Sequence, residues 1–406
     1  MRQGKKKMMN QKKQFKCPDC GPIYTSHAVK WSEDLFSFLF PIQIKKKNLD
    51  RISQFLDWLF LKLKILQLSD DLENKKIFFR TKVFIEEAQK EGIKIQALKS
   101  KWGFINRFYL EINGKTLPFE GIPRAEFLHS KKSDKIDDKM FVKKALEKAG
   151  FPIAKGRSFW FWQKNKALKW SVKNLSFPLI VKPRTGSMSQ HVTFNINSKE
   201  ELVEAIKRAN KYSPFFIIEE FLPAINVYRA TVVDGKNVAV VRRIPAHIIG
   251  DGKKNIRELI AEKNQNPERG EACSPDCTTF QLIFNKDSER LLAEKKLTSE
   301  YIPTKDELVF IQEKVILDIG ADLEEVTDRL HPDNHQLFCD VANLFDLKVA
   351  GIDFIARDIS KSWKEQKCAV IELNSLPFVD MHYHPTQGTP VNVGKWLVDL
   401  VNKYYK

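Results

Sequence analysis

No run of about twenty apolar residues occurs in this chain, the length a membrane-spanning helix needs. The longest apolar stretch near the start, Leu35–Ile44, is interrupted by Pro41. The lysine-rich start does not lead into an apolar segment with a small-residue cleavage site, so no secretory signal is expected and the cytoplasm is the expected location. Cysteine is scarce, six in 406 residues, which argues against a disulfide framework. Cys17-Pro-Asp-Cys20-Gly has the form of half a zinc ribbon, and Cys273 and Cys277 form a second close pair. Four thiolates could hold Zn²⁺, yet the pairs are far apart in sequence and neither has an adjacent histidine. Separate reduced thiols are the expectation. No Ser/His/Asp or Cys/His arrangement suggests a covalent nucleophile.

Acidic residues are in deficit, 51 against 68 basic, for a formal charge of +17. Seven of the excess lie in residues 1–16, which contain no acid, and read as a solvated tail. The remaining +10 suits anionic substrates such as nucleotides and carboxylates. Nucleic acid is not an expected partner, and a homodimer is left open. Hydrophobic content of 43% supports a substantial core across two or three domains.

Two apolar runs near the C-terminus, VAGIDFI (349–355) and CAVIELN (368–374), flank a polar loop and carry acids where buried strands should have none. Strand side chains alternate faces, so Glu372 and Asn374 share one side. Antiparallel pairing would bring Asp353 beside them. Two carboxylates and an amide oxygen make a hard oxygen set suited to Mg²⁺; a salt-bridged hairpin is the other reading.

Taken in order, residues 31–68 are rich in aromatics and leucine. Ile52, Leu56 and Leu59 predict an amphipathic helix packed on the body, with peripheral membrane contact as the alternative. The segment 77–125 reads as a short strand, a helix ending at Gly92, a strand, and a hairpin turning at Asn113-Gly114. A helix over 137–152 is capped by Asp137 or Asp138, buries Val142, Ala145, Leu146 and Ala149, and ends at Gly150. Lys139 sits in its first turn, opposing the helix dipole, which an anionic partner would explain. Lys182 ends an apolar strand before a loop, GSMSQH, whose backbone could cradle phosphate although it holds one glycine. Ser198 and Glu201 predict a capping box for a helix over 199–211. Glu219 and Glu220 end the strand FFIIEE. A hairpin turning at Asp234-Gly235 carries Arg229, Arg242 and Arg243, residues suited to carboxylate or phosphate. Residues 244–300 read as a mobile flap, and His331-Pro332-Asp333 opens a helix running to about Phe345. A helix over 391–404 closes the chain.

These pieces together resemble the ATP-grasp superfamily of carboxylate–amine ligases, from about residue 130 onward. The likeness rests on RIPAHIIGDGKKNIRELIAEKNQNPERG, EEVTDRLHPDN, VAGIDFI and VIELNSLPFVDMHYHP, and is nearest to the ATP-grasp modules of cyanophycin synthetase and bifunctional glutathione synthetase. The resemblance implies an α+β ATP-grasp fold over 131–406, with lobes 131–225 and 226–406 and the flap 244–300. A small α/β domain over 71–130 and a basic, aromatic extension over 1–70 would precede it. It implies Asp353, Glu372 and Asn374 as Mg²⁺ ligands, and Lys139 and Lys182 as contacts of the ATP phosphates. Gly186 and Ser187 would belong to the loop over those phosphates. Glu219 would sit at the adenine-side hinge, with the backbone at Phe221 and Leu222 binding the base. Arg229 and Arg243 would grip phosphate or an acyl phosphate, and His382 and His384 would lie near the substrate pocket.

The chain departs from the pattern at Asn226, where many relatives carry an acid, and at Ala224, which replaces a glycine. No second domain like that of either relative is expected, nor is synthesis of cyanophycin or glutathione. A ligase joining amino acids or peptides, using ATP and Mg²⁺, is the leading expectation. A nucleotide-binding protein without ligase activity and a ligase acting on a macromolecular carboxylate are the alternatives.

Overall fold

The computed structural model describes residues 15–17, 21–23, 27–39, 46–73, 77–124, 132–186, 191–222, 226–272 and 274–405. The chain forms two compact units: Met1–Gln43, Asp137–Ala145 and Ile153–Pro223 make the first, and Ile44–Ile136, Leu146–Pro152 and Ala224–Lys406 the second. Among the described residues no helix is long and apolar enough to cross a membrane.

The first unit is built on a four-stranded antiparallel sheet in the order Gly156–Trp160, Phe215–Glu220, Leu179–Pro183, Thr193–Ile196. The helix Lys199–Asn210 lays Leu202, Ala205, Ile206 and Ala209 on Leu179, Val181, Phe216 and Ile218, as its 3.6-residue spacing predicts. Ser198 caps it by accepting from Glu201 N–H at 3.1 Å. The Glu201 carboxylate accepts from Asn197 N–H at 2.8 Å, one residue earlier than a capping box would place it.

The helix Lys139–Lys148 starts where expected, with Asp138 accepting from Met140 and Phe141 N–H. Its buried side differs from the expectation: Ala149 is exposed and Lys143 is buried. The helix stops at Lys148, so Ala149 falls off the stripe, while Lys143 finds two acceptors inside the unit.

In the second unit a five-stranded antiparallel sheet runs Asp322–Glu325, Asn237–Ile244, Asn226–Val233, Val349–Ala356, Cys368–Asn374. The Asp234-Gly235 turn has φ of 56° and 65°, the left-handed pair that such a two-residue hairpin demands. A second sheet, Leu66–Ser69, Lys94–Ser100, Gly103–Ile112 and Lys115–Phe119, turns at Asn113-Gly114 with the same signature. Its helix Phe79–Lys90 and the C-terminal helix Val393–Tyr405 share one core with Val233, Ala239 and Val349 of the larger sheet.

Two local expectations are corrected in this unit. No strand forms at residues 77–79; the helix begins at Phe79, because Leu66–Ser69 takes the sheet edge and Phe79 N–H donates to Pro275 O at 2.8 Å. The helix Lys46–Lys62 does not bury its apolar stripe. Ile52 and Leu56 are exposed and Leu59 is half-buried, while Asp57 is buried, held by Tyr109 Oη and Arg107 Nε at 2.5 Å each. Residues 244–300, read as a flap, carry packed structure of their own. They belong to a packed body reaching to Ile311, with a core of Ala246, Ile248, Ile256, Leu259, Leu282, Leu292 and Val309. Asp322 fastens this body to the sheet by accepting from Lys263 at 2.6 Å and from Arg269.

Candidate active site

The residues expected to hold Mg²⁺ lie on the last two strands of the five-stranded sheet. Asp353 stands directly opposite Glu372, and Asn374, two residues on along the same face, stands opposite Gly351. A bulge after this pair opposes Phe354 to Val370, leaving Ile371 unpaired. The expected hairpin alignment is therefore present.

Asp353 is engaged by two arginines, Arg229 on the adjacent strand and Arg243 on the strand beyond it. Arg229 Nε and Nη2 donate to its two oxygens at 2.5 and 3.1 Å, and Arg243 Nη2 lies 3.5 Å from Oδ1. Burial pushes the Arg243 guanidinium down to about 10, with Asp353 opposing the shift and Arg229 adding to it. Gly351 makes room for this arrangement: a Cβ there would come within 2.7 Å of Arg229 Nη1 and 3.0 Å of Pro377 Cβ. Gly351→Ala should accordingly cost about 1–3 kcal/mol by overpacking and loosen the Arg229–Asp353 fork. Urea denaturation measures it, and an unchanged midpoint would contradict the crowding. Arg242 pairs instead with Glu324 at 2.5 Å.

The donor set fits Mg²⁺. No group of three or more His, Cys, Asp or Glu able to hold a metal forms among the described residues. Two carboxylates with one amide oxygen leave several positions for water and phosphate oxygens, which is the way Mg²⁺ is commonly held.

In the first unit Glu219 is fully enclosed between two lysines. Lys143 Nζ lies 2.6 Å from Oε1 and Lys182 Nζ 2.7 Å from Oε2, and all three side chains are under 10% exposed. Burial alone would raise the Glu219 carboxyl, but Lys182 and Lys143 outweigh it and hold it below the ordinary range. Lys143 also donates to Ala154 O. This lysine was absent from the sequence-derived set, although its place one helical turn after Lys139 is a readable signal. Lys139 donates to Gly186 O, at the start of the phosphate-loop candidate. Gly186 has φ of 109°, and a Cβ on it would meet the Tyr212 ring at 2.9 Å, so glycine is required there. Ser187 lies outside the described residues, as do Ala224, Cys20 and Cys273. Phe221 N–H donates to Pro178 O at 2.9 Å, and Phe221 and Leu222 are half-buried just past the strand that carries Glu219.

The two histidines separate. His382 is fully buried, and its ring nitrogens bond Glu325 and Thr231 at 2.8 Å each, so it braces the sheet. His384 is exposed and stacks on Phe79 with ring centroids 4.5 Å apart. Asn226 Nδ2 donates to Arg357 O at 2.7 Å. Cys277, Cys339 and Cys368 are free thiols.

Residues 146–252 match the family model described as D-ala D-ala ligase C-terminus. Cyanophycin synthetase of Trichormus variabilis is 29% identical over 343 residues, covering 82% of this chain and 37% of that protein. The same enzyme of a Synechocystis species is 32% identical over 267 residues, covering 65% of this chain and 30% of that one. The glutathione biosynthesis bifunctional protein of Enterococcus faecalis is 29% identical over 317 residues, covering 76% and 40%. The chain thus spans between 30% and 40% of the length of these relatives. Among solved structures, a bifunctional glutathione synthetase from Pasteurella multocida superposes with a TM-score of 0.62 at 22% identity, over 81% of this chain and 44% of that one. In its α+β architecture and in its sequence relatives alike, the chain is similar to ATP-grasp ligases.

Proposed function

We propose that this protein is an ATP-dependent carbon–nitrogen ligase that joins a carboxylate to the amine of an amino acid or peptide. The observation that carries the reading is the alignment of Asp353 with Glu372 and Asn374, with Arg229 and Arg243 on the same carboxylate. A pair of acids that faces a pair of arginines is an exchangeable arrangement. A divalent cation can take the carboxylates, and the arginines then become available to phosphate oxygens.

Asp353, Glu372 and Asn374 would hold Mg²⁺, which when bound neutralises charge on a transferring phosphoryl group. Lys139 and Lys182 are assigned to the ATP phosphates, and the backbone at Phe221 and Leu222 to the base. A carboxylate is a poor electrophile. Transfer of the γ-phosphoryl group to its oxygen, with ADP leaving, turns that oxygen into part of a good leaving group. The amine then attacks the carbonyl carbon, the C–N bond forms, the bond to the phosphate oxygen breaks, and the amine gives up a proton. Arg229 and Arg243 stabilise the anionic acyl phosphate by fixed charge rather than by covalent chemistry. The cytoplasm, where ATP is maintained, is the compartment assigned.

A panel of amino acids and dipeptides, assayed for ADP release with Mg²⁺ and ATP, tests the reading. Turnover on the order of 1 s⁻¹ or faster is expected for a matching pair, and hydroxylamine should trap the activated carboxylate as a hydroxamate. ATP binding with no ADP release across the panel would count against a ligase.

A further inference from the structure

The helix Lys46–Lys62 packs on the smaller sheet of the second unit by its polar side. Asp57 reaches Tyr109 Oη and Arg107 on the strand Gly103–Ile112, and Ser53, Phe60 and Leu61, which flank Asp57 around the helix, are half-buried. Ile52 and Leu59 stand about 150° round the helix from Asp57. The apolar stripe is thereby turned outward, and Ile52, Phe55, Leu56 and Trp58 are between 40% and 58% exposed.

The stripe continues past the helix end. Lys64 takes the left-handed conformation, with φ of 57°, and Ile65 N–H donates back to Phe60 O at 2.9 Å, so the chain turns tightly into the strand Leu66–Ser69. Leu66 stands opposite Ser100, and Ser100 opposite Gly103. This register sets the exposed Leu63 and Ile65 beside the hairpin tip that carries Trp102, which is 77% exposed. Apolar side chains exposed one at a time are ordinary, but an aligned stripe that runs on into a tryptophan-tipped hairpin marks an interaction surface.

The charges around this surface select its partner. Lys62 Nζ lies 5.2 Å from the centroid of the Trp58 ring and Lys101 Nζ 4.5 Å from that of Trp102, and Lys64 and Lys99 are exposed alongside. Across residues 52–68 and 98–106 the only acid is Asp57, and it is buried. Asp70 and Asp71 come only after the far end of the strand Leu66–Ser69. A second copy docking through the same face about a twofold axis would set these lysines against each other. An anionic bilayer suits both parts of the surface. Rings and aliphatic side chains enter the headgroup boundary, while the lysines lay their stems along the apolar surface and meet lipid phosphate.

We propose that the outward face of residues 52–65 and the Lys101-Trp102 hairpin tip bind the surface of an anionic lipid bilayer. Phe55, Trp58 and Trp102 insert, and Lys62, Lys64, Lys99 and Lys101 meet the headgroup phosphates. The contact is peripheral and independent of the ligase reading.

Flotation of the full chain with vesicles of phosphatidylcholine alone, and of phosphatidylcholine mixed with phosphatidylglycerol, provides the test. The protein should float with the mixed vesicles and be released as salt screens the lysines. Phe55→Ser combined with Trp58→Ser should weaken that binding at least about tenfold, and Lys62→Gln combined with Lys101→Gln at least about fivefold. All four side chains are exposed, so urea midpoints close to wild type should show that both variants are folded. Equal flotation with phosphatidylcholine alone would overturn the choice of an anionic surface. Absence of flotation would overturn the site, and so would flotation that both variants retain, which would shift the binding to the basic residues 1–16. Self-association that Phe55→Ser with Trp58→Ser abolishes, in protein that ignores vesicles, would overturn it in favour of a second copy.

Discussion

Glu219→Gln should lower the unfolding free energy by about 3–5 kcal/mol, because it leaves buried lysines without their counter-charge. Lys143 and Lys182 both contact this carboxylate, and their side chains are only 9% and 8% exposed. Urea denaturation at neutral pH measures the loss, and a change under about 1 kcal/mol would mean the lysines find water, as exposed pairs do. Adding Lys143→Met to Glu219→Gln should recover part of the stability, since one uncompensated cation is then gone. The pH dependence follows from the sign of the shift. The folded carboxyl titrates below its ordinary 4.5, so its contribution is full above that value and is lost as pH falls through the lower folded one. The gap between wild type and Glu219→Gln should therefore narrow on acidification below the ordinary glutamate range.

The second large effect is on turnover. Glu372→Ala should reduce amine-dependent ADP release by about 10²–10³, the scale on which losing a pre-organised electrostatic group is felt, even at saturating Mg²⁺. Unchanged turnover would remove Glu372 from the metal set. Glu372 is the sharper probe of the two acids. Asp353→Ala would also remove the carboxylate that Arg229 and Arg243 both contact, so stability and catalysis would fall together.

Much of this arrangement was legible in the chain because its signals are local. Asn113-Gly114 and Asp234-Gly235 mark hairpins, since both turn positions need positive φ. Once the apolar runs 349–355 and 368–374 are placed as antiparallel neighbours, the period of two puts Asp353, Glu372 and Asn374 on one face. The helix over 199–210 is announced by Ser198 and by its stripe. The misreadings came where two structures suit the same residues. Ile77-Phe78-Phe79 is apolar enough for a strand, and only the occupation of the sheet edge by Leu66–Ser69 decides against one.

The sequence by itself therefore determined the likeness to ATP-grasp ligases, the hairpins and the grouping of Asp353, Glu372 and Asn374 on one pair of strands. Turn chemistry and side-chain alternation act over a few residues and need no knowledge of the rest of the chain. Tertiary structure alone decided that Lys143 joins Lys182 on Glu219, that Arg229 closes on Asp353 across the space left by Gly351, and that His382 is a brace. Each of these depends on which strand lies beside which and in what register, and the partners stand tens to hundreds of positions apart. Local patterning cannot encode such meetings, because only packing brings those charges to the same buried place.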